Sequence, residues 1–84
     1  MSWAVFWTPH AAKDLRKLDH QVKSRVLSGI DRYASSGVGD VVRLQHIDPP
    51  EYRLRVGEWR VRFMRDASHS ALVILRVLPR GKAY

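Results

Sequence analysis

Cysteine is absent from the 84-residue sequence, so no disulfide can stabilise the fold and no thiolate can hold a metal. This absence is typical of a reducing compartment, and we expect a cytoplasmic protein. No apolar stretch approaches the ~20 residues that a membrane-spanning helix needs. No signal peptide is recognisable before the first predicted strand, so neither membrane insertion nor secretion is expected.

The four histidines do not form a recognisable metal site. They are His10, His20, His46 and His69. None of them has the H-x-x-x-H spacing that places two ligands on one helix face, and no glycine-rich loop of the phosphate-cradling kind occurs. We therefore predict neither a metal nor an organic cofactor, and leave a catalytic histidine pair as a minor alternative.

Positive charge is what the sequence has in excess. Fifteen Lys and Arg residues against eight Asp and Glu residues give a formal net charge of +7 and a pI near 10.6. A chain of this length predicts a single domain, residues 1–84, and so basic a domain predicts an anionic partner. Nucleic acid, an acidic protein and an anionic membrane surface all meet that requirement.

Local patterns predict a strand, then two helices, then further strands. Residues 3–8 are rich in aromatic and β-branched side chains and favour a first strand, and Thr8 followed by proline is a typical helix start. Asp19 is predicted to cap a second helix. Gly29 inside that helix would be explained by close packing of the two helices. Residues 41–46 fit either a short strand or an extended connection.

The apolar run from Ala71 to Leu78 predicts a central strand of the sheet. Strict alternation would turn Val73, Leu75 and Val77 towards the core, and Arg76 towards the opposite face. The first strand carries apolar residues on both faces, so we expect it to be covered on both sides. Together these elements predict an α+β fold, with a helical hairpin packed on a twisted antiparallel sheet of about four strands.

The segment EYRLRVGEWRVRF, residues 51–63, predicts two alternating strands around a two-residue turn at Gly57 and Glu58. That turn puts four arginines on one face, in two pairs that face each other across the ladder. The pairs are Arg53 with Arg62 and Arg55 with Arg60. Because like charges opposite each other are destabilising, their presence indicates a need for concentrated positive charge. We interpret this face as a binding surface for a phosphate backbone.

Three segments, in order along the chain, resemble the RelE/ParE superfamily of bacterial toxins from toxin–antitoxin modules. They are TPHAAKDLRKLD after the aromatic first strand, PPEYRLRVGEWRVRF around the hairpin, and VILRVLPRGKAY. The resemblance covers nearly the whole chain and is greater to the RelE branch than to ParE. It implies a fold similar to microbial ribonucleases and cleavage of messenger RNA in the ribosomal A site. It also implies a cognate antitoxin as partner, in a toxin–antitoxin hetero-oligomer.

The resemblance further implies a set of site residues. Those expected to be catalytic are Arg53, Arg55, Arg60, Arg80 and Tyr84. Among the other basic residues, we expect Arg62, Arg76, Lys82, Lys13, Arg16 and Lys17 to bind RNA, with a solvated helix surface as the alternative for the last three. We assign Arg60 and Arg80 to the phosphate and its transition state, because a planar guanidinium donates two hydrogen bonds to phosphate oxygens. Tyr84 would stack on a base or orient the attacking hydroxyl.

The expected chemistry is metal-free attack by the substrate's own 2′-hydroxyl on the adjacent phosphorus, which selects RNA over DNA. This attack needs a proton acceptor, and arginine is a poor one. The best-studied branch carries lysine where this chain has Arg53 and Arg55, so the acceptor stays open among Lys82, Glu51 and Glu58. Two alternatives also stay open: a ParE-like inhibitor of DNA gyrase that performs no chemistry, and a non-catalytic RNA- or ribosome-binding module.

Overall fold

The computed structural model describes residues 2–82, which form two helices and a five-stranded sheet. The elements are β1 (Ala4–Trp7), α1 (Pro9–Arg16), α2 (His20–Ser36), β2 (Asp40–Arg43), β3 (Tyr52–Val56), β4 (Trp59–Asp66), a short 3-10 turn (Ala67–His69) and β5 (Ala71–Pro79). The strands lie in the order β1-β5-β4-β3-β2. The predicted α+β class and the helical hairpin are confirmed.

The sheet is mixed and has one strand more than the four or so that the sequence predicted. β1 runs parallel to β5, with Ala4 opposite Ala71, while the other neighbouring pairs are antiparallel. The expectation of an antiparallel sheet is therefore wrong for β1. The ambiguous segment forms the edge strand β2, which pairs with β3.

Side chains at the helix starts and ends fix the helical hairpin where the sequence predicted it. The Thr8 hydroxyl accepts a hydrogen bond from the Ala11 amide at 3.1 Å, and the Asp19 carboxylate accepts one from the Val22 amide at 3.0 Å. Each therefore satisfies an amide that the first helical turn leaves unpaired. α2 ends at Gly37, whose φ of 77° is the left-handed conformation that glycine adopts without a steric penalty.

The core lies between the two helices and one face of the sheet. Its buried members are Ala11, Val26, Ile30, Ala34, Leu54, Val61, Phe63, Leu72, Ile74 and Val77. α2 approaches the sheet so closely that a Cβ at Gly29 would lie 2.8 Å from a methyl carbon of Val56. The glycine thus permits helix-to-sheet contact, and the helix-to-helix explanation was wrong.

β5 contains a β-bulge. Phe63 lies opposite Ile74, but its neighbour Arg62 lies opposite Arg76, so the ladder from β4 passes over Leu75. An extra residue in one strand reverses the alternation of side chains beyond it. Each residue after the bulge therefore lies on the other face of the sheet than strict alternation from Leu72 and Ile74 would predict.

The bulge corrects the predicted core face of β5. Leu72 and Ile74 are buried before it and Val77 is buried after it, at 1–3% exposure. Val77 was predicted correctly, but Val73 and Leu75 lie outside the core. The run ALVILRVL is apolar at nearly every position, so its sequence contains no contrast between faces that would reveal a bulge.

α1 covers the part of the β5 edge that β1 leaves open. β1 pairs only with residues 71–74 of β5. The Thr8 hydroxyl donates to the Ile74 carbonyl at 2.9 Å, and the Asp14 carboxylate accepts from the Val77 amide at 3.0 Å. The Ile74 carbonyl also accepts from the Thr8 amide at 3.1 Å, and Asp14 satisfies an amide beyond the end of β1.

The face of the sheet away from the helices is open. Phe6 in β1 is 58% exposed there, so the expectation that β1 is covered on both sides was wrong. Its neighbours on the other face, Val5 and Trp7, pack against the core as predicted. Across residues 2–82, neither helix has the length and apolar character needed to cross a membrane.

Candidate nucleic-acid interface

The β3–β4 hairpin has the register that its sequence predicts. Arg53 lies opposite Arg62 and Arg55 opposite Arg60. The turn residue Gly57 has a φ of 56°, which suits the first position of a type II′ turn. Since the apolar residues of both strands pack towards the helices, the four arginines lie on the open face of the sheet.

The ladders extend these pairs into two rows that cross the sheet. One row is Arg53, Arg62 and Arg76, on β3, β4 and β5. The other is Asp40, Arg55, Arg60 and Leu78, on β2, β3, β4 and β5. We call them the inner row and the tip row, because the tip row lies nearer the hairpin turn. Their chemical environments differ.

Carboxylates hold Arg62 and Arg76 of the inner row. Arg62 donates to Glu51 at 2.5 Å, with only 21% and 17% of the two side chains exposed, and its Nε atom is buried. Arg76 donates from two nitrogens to Asp14, at 2.7 and 3.2 Å. Removing one partner of such a partly buried pair would leave the other charge uncompensated, and the pairing reduces the charge that the inner row presents to a ligand.

Asp14 is the residue of this region that sequence reasoning missed. Burial raises the pKa of the Asp14 carboxyl, whereas the hydrogen bonds from Arg76 and from the Val77 amide lower that pKa. The lowering outweighs the effect of burial, so the pKa lies below its ordinary value. The same contact raises the pKa of Arg76. A signal was present, because Asp14 occupies the apolar stripe of α1 that contains Ala11 and Leu15. An acid inside such a stripe indicates a buried partner.

Two arginines from distant segments contact the hairpin turn. Arg60 Nη1 donates to the Gly57 carbonyl at 2.8 Å and to the Trp59 carbonyl at 3.1 Å. Arg80 directly follows β5, and its backbone amide donates to the Glu58 carbonyl at 2.8 Å. The turn therefore positions both arginines, although twenty residues separate them along the chain.

The ion pairs at and near this turn are loose and accessible. Arg80 Nη1 lies 3.8 Å from Glu58 Oε2, and the two side chains are 70% and 75% exposed. Arg55 Nη1 lies 3.9 Å from Asp40 Oδ2, and both groups are well exposed. We define the hairpin-tip site as Arg55, Glu58, Arg60 and Arg80. Pairs at such distances in solvent contribute little stability, so an incoming anion can replace their carboxylates.

The remaining predicted site residues lie apart from the hairpin tip or beyond the structure. Lys82 is exposed two residues after Arg80, and its amide donates to the Pro79 carbonyl at 3.1 Å. Lys13, Arg16 and Lys17 are exposed on or next to α1. Tyr84 lies outside the described residues. Within residues 2–82, no group of three or more His, Asp or Glu side chains is arranged to hold a metal ion.

The family model for the ParE toxin of type II toxin–antitoxin systems matches residues 5–84. The chain belongs to this family. Toxin structures related to this one carry the RelE name. The RelE–RelB complex from Pyrococcus horikoshii is 27% identical in sequence, with a TM-score of 0.80 over 99% of this chain and 100% of that chain. The RelBE2 toxin–antitoxin complex from Mycobacterium tuberculosis is also 27% identical, with a TM-score of 0.74 over 95% and 100%.

More distant relatives share the fold of this toxin. The isolated RelE toxin of Escherichia coli is 14% identical and has a TM-score of 0.75 over 98% of this chain and 88% of that chain. No curated protein sequence matches the chain significantly. The predicted resemblance to the RelE/ParE superfamily, and to its RelE branch, is confirmed. The protein is a toxin of a toxin–antitoxin system.

Proposed function

We propose that this toxin is a ribosome-dependent endoribonuclease that cuts messenger RNA. The observation that supports the proposal is the contact of two arginines from different segments with one turn: the half-buried Arg60 binds the Gly57 carbonyl, and the exposed Arg80 lies beside Glu58. A planar guanidinium binds phosphate oxygens in pairs, and two of them from different segments can hold one phosphate from two sides.

The proposed reaction uses the 2′-hydroxyl of the substrate as the nucleophile. Its oxygen attacks the adjacent phosphorus, the bond to the 5′-oxygen breaks, and a 2′,3′-cyclic phosphate results. Arg60 and Arg80 would bind the non-bridging oxygens, whose negative charge grows in the transition state. Fixed positive charge at that position is often the largest contribution to catalysis. A DNA strand lacks the nucleophile and would survive.

The ribosome would supply what the isolated site lacks. The hairpin-tip site lies on an exposed sheet face, so it can bind a phosphate but offers few groups to bend the RNA backbone for in-line attack. Holding the RNA in that geometry accounts for a large share of such barriers. We assign contacts with the RNA backbone to Lys82 and to the exposed basic residues Lys13, Arg16 and Lys17. Arg62 and Arg76 would contribute only on leaving their carboxylates.

We also propose that a cognate antitoxin neutralises the toxin in a hetero-oligomer. The Pyrococcus horikoshii and Mycobacterium tuberculosis relatives are complexes of a toxin with its antitoxin. With a formal charge of +7 on this chain, the antitoxin surface that meets it should be acidic. An acidic segment over the hairpin tip would compete directly with phosphate.

The decisive experiment combines purified ribosomes, a translated messenger RNA and the toxin, and maps the 5′ ends that appear. Wild-type toxin should produce breaks in phase with codons. Arg60→Ala and Arg80→Ala should each slow cleavage by roughly 100-fold or more, the usual effect of losing one group that stabilises transition-state charge. Arg25→Ala is the matched control, because Arg25 is exposed on α2, on the helix side of the sheet. It should cut like wild type.

The family model favours one alternative, an inhibitor of DNA gyrase that performs no chemistry. That function predicts intact messenger RNA in the same reaction, together with induction of the DNA-damage response when the toxin is expressed. Intact RNA with active ribosomes and wild-type toxin would therefore refute the nuclease proposal and favour the alternative.

A further inference from the structure

We propose that Glu58 is the general base of the reaction, the group that removes the proton from the 2′-hydroxyl. This inference rests on the proposed function. An arginine-only site can bind a phosphate but has no atom that accepts a proton, because a guanidinium carries donors and no acceptor. A nuclease with Arg53 and Arg55 on β3 therefore needs an acceptor from elsewhere.

Glu58 lies beside Arg80 and in the turn that binds Arg60, the two arginines that we assign to the phosphate. It occupies the turn whose carbonyls bind Arg60, and its own carbonyl accepts the Arg80 amide at 2.8 Å. Its carboxylate lies 3.8 Å from Arg80 and is 75% exposed. A phosphate bound by both guanidinium groups would thus have a free carboxylate beside it, within reach of the neighbouring ribose.

The other candidate acceptors are committed or remote. The Glu51 carboxylate is bound to Arg62 at 2.5 Å and is only 17% exposed. Asp14 is buried between α1 and β5, where it accepts three hydrogen bonds. Asp40 is exposed but lies three strands from β5, about 14 Å at the usual strand spacing. Lys82 is exposed, and a solvated lysine ammonium has no electron pair to offer.

The loose contact between Glu58 and Arg80 suits a base that is released when substrate binds. At 3.8 Å the pair is longer than a hydrogen bond, so a phosphate oxygen can take the place of the carboxylate on Arg80. The carboxylate then takes the proton as the 2′-oxygen bonds to phosphorus. The 5′-oxygen departs with the electrons of its phosphorus bond and receives a proton from water.

The same position beside Arg80 also permits a role that slows cleavage. The direction of the change in cleavage rate therefore distinguishes the two roles. A carboxylate that merely neutralises Arg80 in the free protein would hinder phosphate binding, and its removal would speed cleavage. A general base typically accelerates such a step by 10²–10⁴-fold. The two roles therefore predict changes in opposite directions for the same substitution.

The test measures single-turnover cleavage of ribosome-bound messenger RNA at saturating toxin, with the affinity for the ribosome measured separately. Glu58→Gln should cut ~100-fold or more slowly than wild type with no loss of affinity. Glu58→Ala should regain activity when acetate replaces chloride at constant ionic strength, because a small carboxylate can enter the space left by the side chain. Asp40→Asn removes another exposed carboxylate, beside Arg55, and should cut at the wild-type rate.

Each result has a definite meaning. If Glu58→Gln cuts as fast as wild type or faster, or if acetate does not restore Glu58→Ala, the assignment of the base is wrong while the nuclease proposal stands. If Asp40→Asn is the slow variant, the base lies on β2 instead. Failure of wild-type toxin to cut at all would end the nuclease proposal itself. Urea unfolding of each variant verifies that it is folded, and the exposed side chains of Glu58 and Asp40 should tolerate every one of these changes.

Discussion

Replacing Asp14 should destabilise the toxin far more than replacing any exposed acid. The Asp14 side chain is 10% exposed, binds two nitrogens of Arg76 and accepts the amide of Val77. It therefore ties α1 to the part of the β5 edge that no strand covers. Asp14→Ala removes all three hydrogen bonds at once, whereas Asp14→Asn keeps an oxygen able to accept from the amide.

The magnitude follows from what each variant leaves unpaired. A hydrogen bond to a charged group contributes about 1.5–3 kcal/mol, and a buried amide without a partner costs about 1–3 kcal/mol. Arg76 is 32% exposed and can turn towards water, which reduces its share. We therefore expect Asp14→Ala to lose about 3 kcal/mol and Asp14→Asn about 1–2 kcal/mol. For a domain of this size, 3 kcal/mol lowers Tm by roughly 12–24 °C.

The assay is urea unfolding of the isolated toxin at neutral pH, followed by circular dichroism. Asp31→Ala is the matched control, since Asp31 is exposed on α2 and should change the free energy of unfolding by less than about 0.5 kcal/mol. If Asp14→Ala unfolds within 1 kcal/mol of wild type, on the scale of that control, then the contacts at the β5 edge do not stabilise the fold and the reasoning fails.

The lowered pKa of Asp14 adds a pH dependence with a definite sign. A carboxyl whose pKa is lower in the folded state contributes its full stability above the ordinary value, and loses it as the pH falls through the folded value. The stability difference between wild type and Asp14→Asn should therefore be constant above about pH 5 and shrink below pH 4. A difference that stays constant into strong acid would contradict the assigned cause.

Three further substitutions test the packing and the turns, each by the free energy of unfolding in urea. Gly29→Ala should destabilise by about 1 kcal/mol because overpacking against Val56 outweighs the helix propensity gained, and Val56→Ala in the same chain should reverse part of that loss. Thr8→Ala should lower the free energy of unfolding by about 1–2 kcal/mol through loss of the helix cap, and Thr8→Ser should retain most of the wild-type stability. Equal losses in the two variants would show that the hydroxyl does not cause the effect. Gly57→Ala should cost about 1–2 kcal/mol because its φ is positive, while Glu58→Ala next to it should be neutral.

The hairpin was predictable because two independent signals agreed there. A two-residue turn with glycine first fixes one register, and the alternation of arginine with apolar residues fixes the same one. A shift by one residue would have exposed Leu54 and Val61 and buried four arginines. The helix caps were equally local, since each depends on a side chain and an amide three residues away.

What the sequence did not reveal depends on residues that are far apart along the chain. The carboxylate partner of Arg76 is 62 positions away along the chain, and that of Arg62 is 11 positions away. The sequence therefore did not indicate which arginines of the open face form partly buried ion pairs. The parallel pairing of β1 with β5 also joins residues that are far apart along the chain, so the sequence did not reveal it. That Arg60 and Arg80 both contact the hairpin turn was expected only through the resemblance to RelE toxins.

The pairing of β1 with β5 also sets the order in which the sheet can be completed. Ala4 pairs with Ala71, and within the described residues β5 is the only strand adjoining β1. While the chain is being translated, the aromatic residues of β1 have no ladder partner until β5 has been made. Contacts that close so long a loop form late and slow the folding of small domains. A newly made toxin should thus pass through an interval in which an antitoxin already present could capture an incomplete sheet.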